Sequence, residues 1–556
     1  MLAALLAAHG VREAVMSPGS RNAPLMVALE RNAEIHTRIV VDERSAAFIG
    51  LGMAEALQKP VALVCTSGTA PLNYAPALAE AFYRHIPLIA ITADRPEEWI
   101  DQDDSQTIVQ PGIFANFIKG TFDIPVESDE PSRMWMVNRK LNDALILAST
   151  EPKGPVHINI RLDEPLGEIV EVDDSAPRKI EAVNAVRSLD KPFGIGPDDK
   201  VMIICGFMSA DDYCNGFSND ENDSLWVSLN NVARHHNVVV MHEAQSNLHN
   251  FSSFLPNIDA TLSRLDTEYA APDVVITLGG SLTSRKIKAF LRNIPALRHI
   301  SVGLHNHSVD CLTHLSERIF CTEAEGMRKL AEELHYEEKP MSLFKTFWQS
   351  ASWQAKKDAE KFAAEAPWCD FKATSYVISN MPPGWHLQLS NGTSVRYAQL
   401  FNYSRAATIH CNRGVSGIDG CTSTAIGSAL VYDKPTILLT GDTSMQYDIG
   451  ALATTFIPPT FKIIVLNNGG GGIFRFIPST KHLDELEKCF VADLRLPLEK
   501  LSEAYGFAYF SAKNIDELKK SYSAFLKNNS VPSILEIITD GELSASVLTQ
   551  FLQNKK

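Results

Sequence analysis

Short apolar runs rich in Val, Ile and Leu alternate along this chain with longer segments that have the periodicity of amphipathic helices, and this alternation constrains the fold most strongly. Early examples are the runs VALVC and LIAITAD, with the helical stretch ERSAAFIGLGMAEALQK before them. Runs that are apolar at every position are typical of parallel strands covered by helices on both faces. The alternation therefore predicts an α/β fold built on parallel sheets.

Two polar stretches, at residues 171–200 and 323–342, interrupt the alternation and indicate domain boundaries. At 556 residues the chain is also longer than one hydrophobic core usually organises. The apolar runs between the interruptions predict five strands, then four, then five. We therefore predict three tandem parallel-sheet α/β domains, over residues 1–170, 185–340 and 345–556.

Composition excludes several classes of protein. The net charge is −15 and there is no run of Lys or Arg, which argues against a partner that is nucleic acid or an anionic membrane. No stretch approaches the ~18 consecutive apolar residues that span a bilayer, so we expect no membrane insertion. Nine cysteines without a C-x-x-C pair favour reduced thiols, and hence a cytoplasmic location.

Unusual polar residues follow two apolar runs in the last third of the chain. Gly441 and Asp442 come after LLT, and about 26 residues further on the next run ends in Asn467 and Asn468, followed by GGGG. That spacing is the length of one strand–helix–strand crossover, which brings the ends of neighbouring parallel strands together. A carboxylate, an amide oxygen and a loop carbonyl could then bind Mg²⁺, while the glycines admit a diphosphate. The alternative is that both sequences are ordinary turns.

GDTSMQYDIGAL followed by VLNNGGGGIF resembles the diphosphate–magnesium motif of thiamine-diphosphate enzymes, which normally reads Gly-Asp-Gly through Asn-Asn. Thr443 stands where many relatives have the second glycine, and this substitution leaves the metal ligands unchanged. The resemblance implies that Asp442, Asn468 and Gly470 hold Mg²⁺ or Mn²⁺. It implies the following residues around the cofactor: Glu43, Asn391, Ile418, Gly441, Asp442, Thr443, Ser444, Asn468, Gly470, Gly472 and Ile473.

The same resemblance implies a pyrimidine-binding domain at 1–170, a central domain at 185–340 and a diphosphate-binding domain at 345–556. It requires a glutamate in the first of these, and VVDERSAAF supplies Glu43. By resemblance, Glu43 hydrogen-bonds the aminopyrimidine of the cofactor, and we expect it to follow a buried strand. The alternative is an acid at a helix start, which suits the helix dipole by about 0.3–1 kcal/mol.

A narrower resemblance extends over nearly the whole chain. The segments SPGSRNAPL, CTSGTAPLNYAPALAEA, SQTIVQPGIF, GPVHINIRLDEPL, NRGVSGIDG and NNGGGGIFRFIP are similar as a set to those of 2-succinyl-5-enolpyruvyl-6-hydroxy-3-cyclohexene-1-carboxylate synthases of menaquinone biosynthesis. This implies decarboxylation of 2-oxoglutarate and addition of the resulting carbanion to isochorismate. SPGSR and NRGVSGIDG separate this family from acetolactate synthases and pyruvate decarboxylases.

Two dicarboxylate substrates require cations, and several lie at or near predicted strand ends. A lone Arg in a loop is more often a solvated charge or part of a structural ion pair. The family resemblance implies that Ser20, Arg21, Arg95, Gln106 and Arg413 contact isochorismate or the adduct, with Lys286 and Arg396 completing the acid-binding surface. It also implies an apolar pocket of Ile473, Phe474 and Ile477, and a catalytic set of Glu43, Arg95, Gln106, Arg396 and Arg413.

Gly392 departs from the family, which commonly has Asn-Ser before the arginine; Thr393 or Ser394 could replace that hydroxyl. In this superfamily the first and third domains meet across a subunit interface, so a homodimer or homotetramer with interfacial active sites is expected. Two other interpretations stay open: another thiamine-diphosphate carboligase or decarboxylase of the acetolactate-synthase type, and a thiamine-diphosphate-binding protein without catalysis. A nucleotide-binding Rossmann protein ranks last because no G-x-G-x-x-G has the right context.

Overall fold

The computed structural model describes the chain except residues 127, 129, 168–176, 183–191, 209–223, 250–251, 266–269, 306–307, 335–338, 402, 495 and 554–556. The described residues form three sheets, of six, five and six strands, in which every strand pairing is parallel. The predicted fold class is therefore confirmed. No helix in the described part of the chain is long and apolar enough to cross a membrane.

The strands of the first sheet are β1 (Glu13–Met16), β2 (His36–Ile39), β3 (Val61–Cys65), β4 (Leu88–Asp94), β5 (Thr121–Ile124) and β6 (Val156–Arg161). Those of the second are β7 (Val201–Cys205), β8 (Val238–His242), β9 (Val274–Leu278), β10 (Arg298–Val302) and β11 (Leu315–Ile319). Those of the third are β12 (His386–Leu389), β13 (Ile409–Cys411), β14 (Thr436–Gly441), β15 (Lys462–Asn467), β16 (Ala508–Ala512) and β17 (Ser533–Ile538).

The helices, numbered in chain order, are α1 (Leu2–Ala8), α2 (Ala23–Glu30), α3 (Glu43–Leu57), α4 (Ala75–Tyr83), α5 (Pro131–Ser149), α6 (Leu225–Arg234), α7 (Ile258–Leu262), α8 (Arg285–Arg292), α9 (Glu323–Leu334), α10 (Leu343–Glu365), α11 (Asp370–Ser379), α12 (Ser394–Ala398), α13 (Cys421–Val431), α14 (Asp442–Tyr447), α15 (Leu498–Ala504), α16 (Ile515–Lys527) and α17 (Gly541–Gln553). A 3₁₀ helix spans Gly472–Arg475 and a π-helix spans Leu486–Val491.

The first and third sheets have the same topology. Their strand orders are β2-β1-β3-β4-β6-β5 and β13-β12-β14-β15-β17-β16, which are identical once each sheet is numbered from its own first strand. The second sheet has the order β11-β10-β9-β7-β8. In all three the strand order reverses within the sheet, and open α/β sheets bind ligands outside the carboxyl ends of the strands at such points.

Three strands were not predicted from the sequence: β5, β11 and β16. Each lies at an edge of its sheet and consists mostly of partly exposed residues. The strand before Glu43, which was expected to be buried, is also an edge strand: β2 has two exposed and two half-exposed residues. A strand with one neighbour is covered less completely, so its sequence needs fewer apolar residues.

The chain divides into two compact units. One comprises residues 1–185, 414–433 and 447–458, and the other comprises residues 186–413, 434–446 and 459–556. The predicted domain limits of 170, 185, 340 and 345 stay predictions.

In the first unit, α3 and α13 cross at very short range. A Cβ added to Gly52 on α3 would lie 2.0 Å from the carbonyl oxygen of Thr424, and a Cβ on Gly427 of α13 would lie 2.0 Å from that of Ile49. Each glycine therefore admits the backbone of the other helix. This crossing holds α3, and with it Glu43 at the first position of the helix, against the unit's interior.

In the second unit, the central sheet is covered on both faces. Along β7, Val201, Ile203 and Cys205 belong to one apolar cluster, whereas Met202 and Ile204 belong to another. The third sheet packs against an aromatic cluster in which Phe371 contacts Tyr397, Phe401 and Phe551. Burial on both faces explains why the central strands read as continuous apolar runs.

Candidate active site

Asp442 joins the two strand-end loops that the sequence singles out. Strands β14 and β15 are neighbours in register, with Gly441 opposite Leu466, so their carboxyl ends meet. Asp442 is 2 % exposed, and its Oδ2 accepts hydrogen bonds from the N–H groups of Gly469 and Gly470, both at 2.9 Å. Burial raises the pKa of Asp442, against the lowering effect of these N–H groups. The residue thus shapes the loop and also places a carboxylate at the sheet edge.

Asn468 presents a buried, unused acceptor at the same edge. Its Nδ2 donates to Oδ2 of Asp370 at 2.7 Å, while its Oδ1 is buried and has no hydrogen-bond partner among the described residues. A buried amide oxygen normally has a donor, so an orphaned one fits a ligand that the protein itself does not supply. A divalent cation such as Mg²⁺ meets this requirement, because it binds carboxylate, amide and carbonyl oxygens.

The glycines behind Asn468 are required by the backbone. Gly469 and Gly470 have φ of +87° and +129°, and a Cβ on Gly470 would lie 2.4 Å from the carbonyl oxygen of Val491. The Gly470 carbonyl accepts from the N–H of Gly472 at 2.7 Å. Across the described residues no group of three His, Cys, Asp or Glu could hold a metal. A site of one carboxylate, one amide oxygen and one carbonyl would not contain such a group.

The remaining predicted cofactor residues of this unit lie on the same loops. The Thr443 N–H donates to Asp442 Oδ1 at 2.6 Å, Ser444 is buried, and a Cβ on Gly441 would meet nothing within 4 Å. Ile473, Phe474 and Ile477 are half-buried in and just after the 3₁₀ helix Gly472–Arg475. Arg475 anchors this segment through Glu487, with nitrogen–oxygen distances of 2.9 and 2.7 Å.

Glu43 is the first residue of α3, but it is not the cap of that helix. The side chain of Asp42 accepts from the N–H groups of Arg44 and Ser45, so the capping role belongs to Asp42. Glu43 is half-buried, and its pKa is raised by burial and, to a smaller extent, by the charge of Asp42. A carboxyl group with a raised pKa suits proton exchange near neutral pH. Its place in the first turn of α3 also fits the helix-start alternative, so the role of Glu43 toward the cofactor stays a prediction.

Arg21 and Arg95 lie at the carboxyl edge of the first sheet. Arg21 is 5 % exposed; its guanidinium donates to the carbonyl of Leu162 at 3.0 Å and pairs with Glu164 at 3.0 Å. Arg95 donates to the carbonyl of Ser105 at 3.0 Å and pairs with Asp104 at 2.8 Å. Both cations therefore hold fixed positions on loops that follow strands. Ser20, beside Arg21, is exposed.

Gln106 is positioned by a residue that the sequence analysis did not single out. Gln106 has a left-handed backbone, φ +56°, and packs against Gly68. Gln110 is fully buried; its Oε1 accepts from the N–H of Gly68 at 3.0 Å, and its Nε2 donates to the carbonyl of Ala93 at 3.0 Å. Gln110 thus ties the loop that carries Gln106 to the ends of β3 and β4. Gln110 lies in SQTIVQPGIF, one of the segments that carry the family resemblance, and this was the only sequence feature that could have pointed to it.

In the second unit, Arg396 and Arg413 lie close enough to repel each other. The pKa of Arg396 is lowered by burial first and then by the charges of Arg413 and Arg285. The Nε groups of Arg396 and Arg413 are buried without a partner among the described residues, while Arg413 Nη1 donates to Oδ1 of Asn391 at 3.1 Å. Adjacent cations with unused donors suit a bound carboxylate.

Lys286 does not join this group of cations. Its Nζ donates to Oγ of Ser263 and, at 3.1 Å, to the carbonyl of Leu552. The neighbouring residue Arg285, which the sequence analysis did not select, interacts electrostatically with Arg396. Buried Glu243 holds the start of their helix, because it accepts from the N–H groups of Thr283 and Ser284, both at 2.7 Å.

Two further predicted positions have a local explanation. Gly392 has φ of +91°, a conformation that L side chains rarely adopt, so serine would be strained there. Close by, Ser394 is buried with its hydroxyl unpartnered in the described chain. Ile418 is half-buried in the loop before α13, within the first unit.

Comparison with known proteins gives two kinds of match. Residues 1–113 match the family model "Thiamine pyrophosphate enzyme, N-terminal TPP binding domain", and residues 391–537 match "Thiamine pyrophosphate enzyme, C-terminal TPP binding domain". The chain is 38% identical to 2-succinyl-5-enolpyruvyl-6-hydroxy-3-cyclohexene-1-carboxylate synthase of Porphyromonas gingivalis, over 98% of this chain and 94% of that protein. It is 36% identical to the synthase of the same name from Flavobacterium johnsoniae, over 99% of this chain and 97% of that protein. It is 31% identical to the synthase of the same name from Bacteroides thetaiotaomicron, over 100% of this chain and 98% of that protein.

Proposed function

This chain belongs to the family of 2-succinyl-5-enolpyruvyl-6-hydroxy-3-cyclohexene-1-carboxylate synthases, and we propose that it catalyses the reaction of that family in menaquinone biosynthesis. 2-Oxoglutarate loses carbon dioxide, and the carbanion equivalent that remains adds to the ring alkene of isochorismate. The protein is then a thiamine-diphosphate-dependent carboligase. The observation that carries the proposal is the presence of the Asp442 carboxylate and the orphaned Oδ1 of Asn468 at the same meeting point of two strand ends.

The cofactor would be thiamine diphosphate, and Asp442, Asn468 Oδ1 and the Gly470 carbonyl would hold Mg²⁺ or Mn²⁺. When bound, thiamine diphosphate supplies a nucleophilic carbon and takes up the electron pair left by decarboxylation. Thr443, Ser444 and the glycine loop would hold its diphosphate.

Glu43 exchanges a proton with the aminopyrimidine nitrogen of the cofactor, a role that its raised pKa supports. Ile473, Phe474 and Ile477 would exclude water from the site, and Ile418 would pack against the rings of the cofactor. The apolar lining favours loss of a charged carboxylate as neutral carbon dioxide.

The cations bind and orient the two dicarboxylates. Arg21, Arg95 and Gln106, with Ser20, contact isochorismate or the adduct. Arg396 and Arg413 bind a carboxylate through donors that the described protein groups leave unused. The position of Lys286 supports a smaller role for it than for Arg285, whose charge interacts with Arg396.

The active protein is a homodimer or homotetramer in the cytoplasm, with Glu43 of one subunit and Asp442 of another in each site. The three predicted domains act as pyrimidine-binding, central and diphosphate-binding domains. Light scattering during size-exclusion chromatography tests the assembly. A fully active species with the chain mass of 61.2 kDa would contradict it.

Purified protein, Mg²⁺, thiamine diphosphate, 2-oxoglutarate and isochorismate are mixed, and the absorbance of isochorismate is followed. We expect isochorismate to be consumed only when Mg²⁺, thiamine diphosphate and 2-oxoglutarate are all present with it. Cofactor binding without consumption would refute the proposed reaction and favour a non-catalytic binding protein. Turnover of pyruvate alone would favour an acetolactate-synthase-like enzyme.

A further inference from the structure

Asp370 is a buried carboxylate that the function proposed above does not use. It is the first residue of α11 and is 1 % exposed. The hydroxyl of Thr539 donates to its Oδ1, Asn468 Nδ2 donates to its Oδ2 at 2.7 Å, and its own N–H donates to Oγ of Ser544 at 3.1 Å. Asp370 therefore connects the start of a helix to the loops after β15 and β17.

The chemistry of this contact determines how Asn468 is turned. A carboxylate only accepts hydrogen bonds, whereas an amide has a donor on one side and an acceptor on the other. Asn468 can therefore face Asp370 favourably only with its nitrogen. Its Oδ1 then points the other way, where it is buried without a partner among the described residues.

The adjacent asparagine provides an internal comparison. Asn467 Nδ2 also donates to a buried carboxylate, that of Glu536 on β17. Both residues of the Asn-Asn pair are thus held by a carboxylate, but only the Oδ1 of Asn468 is buried without a partner in the described chain. The same kind of hydrogen bond therefore leaves a buried, unpartnered oxygen at Asn468 and not at Asn467.

We propose that Asp370 is a positioning residue that fixes the Asn468 amide with its oxygen toward the divalent cation, an inference that rests on the proposed function. Residues that hold a metal ligand in this way typically change metal affinity by about 10–100-fold when they are replaced. With asparagine at position 370, the side chain presents either oxygen or nitrogen to Asn468. One of these arrangements turns the Asn468 nitrogen toward the cation and repels it.

The test measures binding rather than turnover. Calorimetric titration with thiamine diphosphate at a series of Mg²⁺ concentrations gives the half-saturating Mg²⁺ concentration of each variant. Asp370→Asn should raise this concentration about tenfold or more. Glu536→Gln, the matched control at the neighbouring asparagine, should stay within about threefold of the wild type.

The exchanged pair Asp370→Asn with Asn468→Asp distinguishes positioning from a structural role. In that variant the new amide accepts from Thr539 and donates to the new carboxylate, whose other oxygen faces the cation. Its half-saturating Mg²⁺ concentration should therefore return to within about threefold of the wild type. Because donor and acceptor stay matched, this variant should fold even where Asp370→Asn does not.

Two results would overturn the inference while leaving the proposed function intact. One is an Asp370→Asn protein that binds Mg²⁺ as Glu536→Gln does. The other is an exchanged pair that stays more than about tenfold weaker than the wild type. If the wild type itself bound thiamine diphosphate without any need for Mg²⁺, the proposed metal site would fail, and this inference with it.

Discussion

Replacing Gly52 by alanine tests the helix crossing that supports Glu43. The added Cβ would lie 2.0 Å from the carbonyl oxygen of Thr424, whereas ordinary contacts of a Cβ fall at 3.4–4 Å. The helices α3 and α13 must therefore move apart by more than about 1 Å, since the contacted atom is backbone and cannot rotate away. Overpacking of this kind costs about 3 kcal/mol, and alanine recovers about 1 kcal/mol through its higher helix propensity.

The expected net loss is about 2 kcal/mol, which should lower the thermal melting midpoint of the first compact unit, with its roughly 220 residues, by roughly 4 °C. Gly167→Ala is the control: its Cβ would meet nothing within 4 Å, and no positive φ applies there, so its midpoint should not change. The double variant Gly52→Ala with Gly427→Ala should lose less than the two single losses combined, because one separation of the helices relieves both contacts. A Gly52→Ala protein that melts with the wild type would refute the close crossing.

Three further predictions concern the site and its charges. Glu43→Gln should lower kcat by about 10²–10⁴-fold without lowering the melting midpoint, because it removes the proton exchange and leaves the Asp42 cap in place; wild-type turnover would contradict the role. Burial raises the pKa of Asp448 to about 6, above its ordinary value in the unfolded chain. As the pH falls from 8 to 5, the folded state therefore binds a proton that the unfolded state does not, and the free energy of unfolding rises by roughly 1 kcal/mol. Asp448→Asn lacks this titrating group, so its melting midpoint should drop further below that of the wild type as the pH falls from 8 to 5. If the difference between the two midpoints did not change with pH, the burial argument would be contradicted. Arg285→Ala should raise the KM of the dicarboxylate that binds at Arg396 and Arg413 by about tenfold or more, and Lys286→Ala should raise it less, as measured by steady-state kinetics with 2-oxoglutarate and isochorismate varied in turn; a larger effect of Lys286→Ala would contradict the assignment of Arg285 to the site.

The central strands were predictable because burial on both faces requires apolar residues at successive positions. β3 and β14 are examples, with five buried residues each. The edge strands were not, since β11 alternates half-exposed and exposed residues from Leu315 to Arg318, with only Ile319 buried, and therefore lacks an apolar run. Their pairing depends on a neighbour that is distant in sequence, and local composition does not record it.

The strand-end residues Asp442 and Asn468 were predictable because the crossover spacing fixes where they meet. The buried carboxylates that hold the neighbouring elements in place were not. Asp370 lies 98 positions before Asn468, and the N–H groups that Glu243 accepts from are about 40 positions away. Nothing in the local sequence distinguishes such carboxylates from surface acids, because only the tertiary contacts bury them.

Lys286 illustrates a different limit. Consecutive residues on a helix point about 100° apart, so choosing between Arg285 and Lys286 requires the rotation of α8 about its axis. The sequence locates the cations at the start of this helix. The packing of α8 decides which of them contacts Leu552 and which interacts electrostatically with Arg396.

The most direct test of the central claim counts the two halves of the reaction together. Carbon dioxide released from 2-oxoglutarate labelled at C1 is measured alongside the loss of isochorismate, with purified protein, thiamine diphosphate and Mg²⁺. We expect one carbon dioxide for each isochorismate consumed, and little release when isochorismate is left out. Release at the same rate without isochorismate, or no release at all, would contradict it.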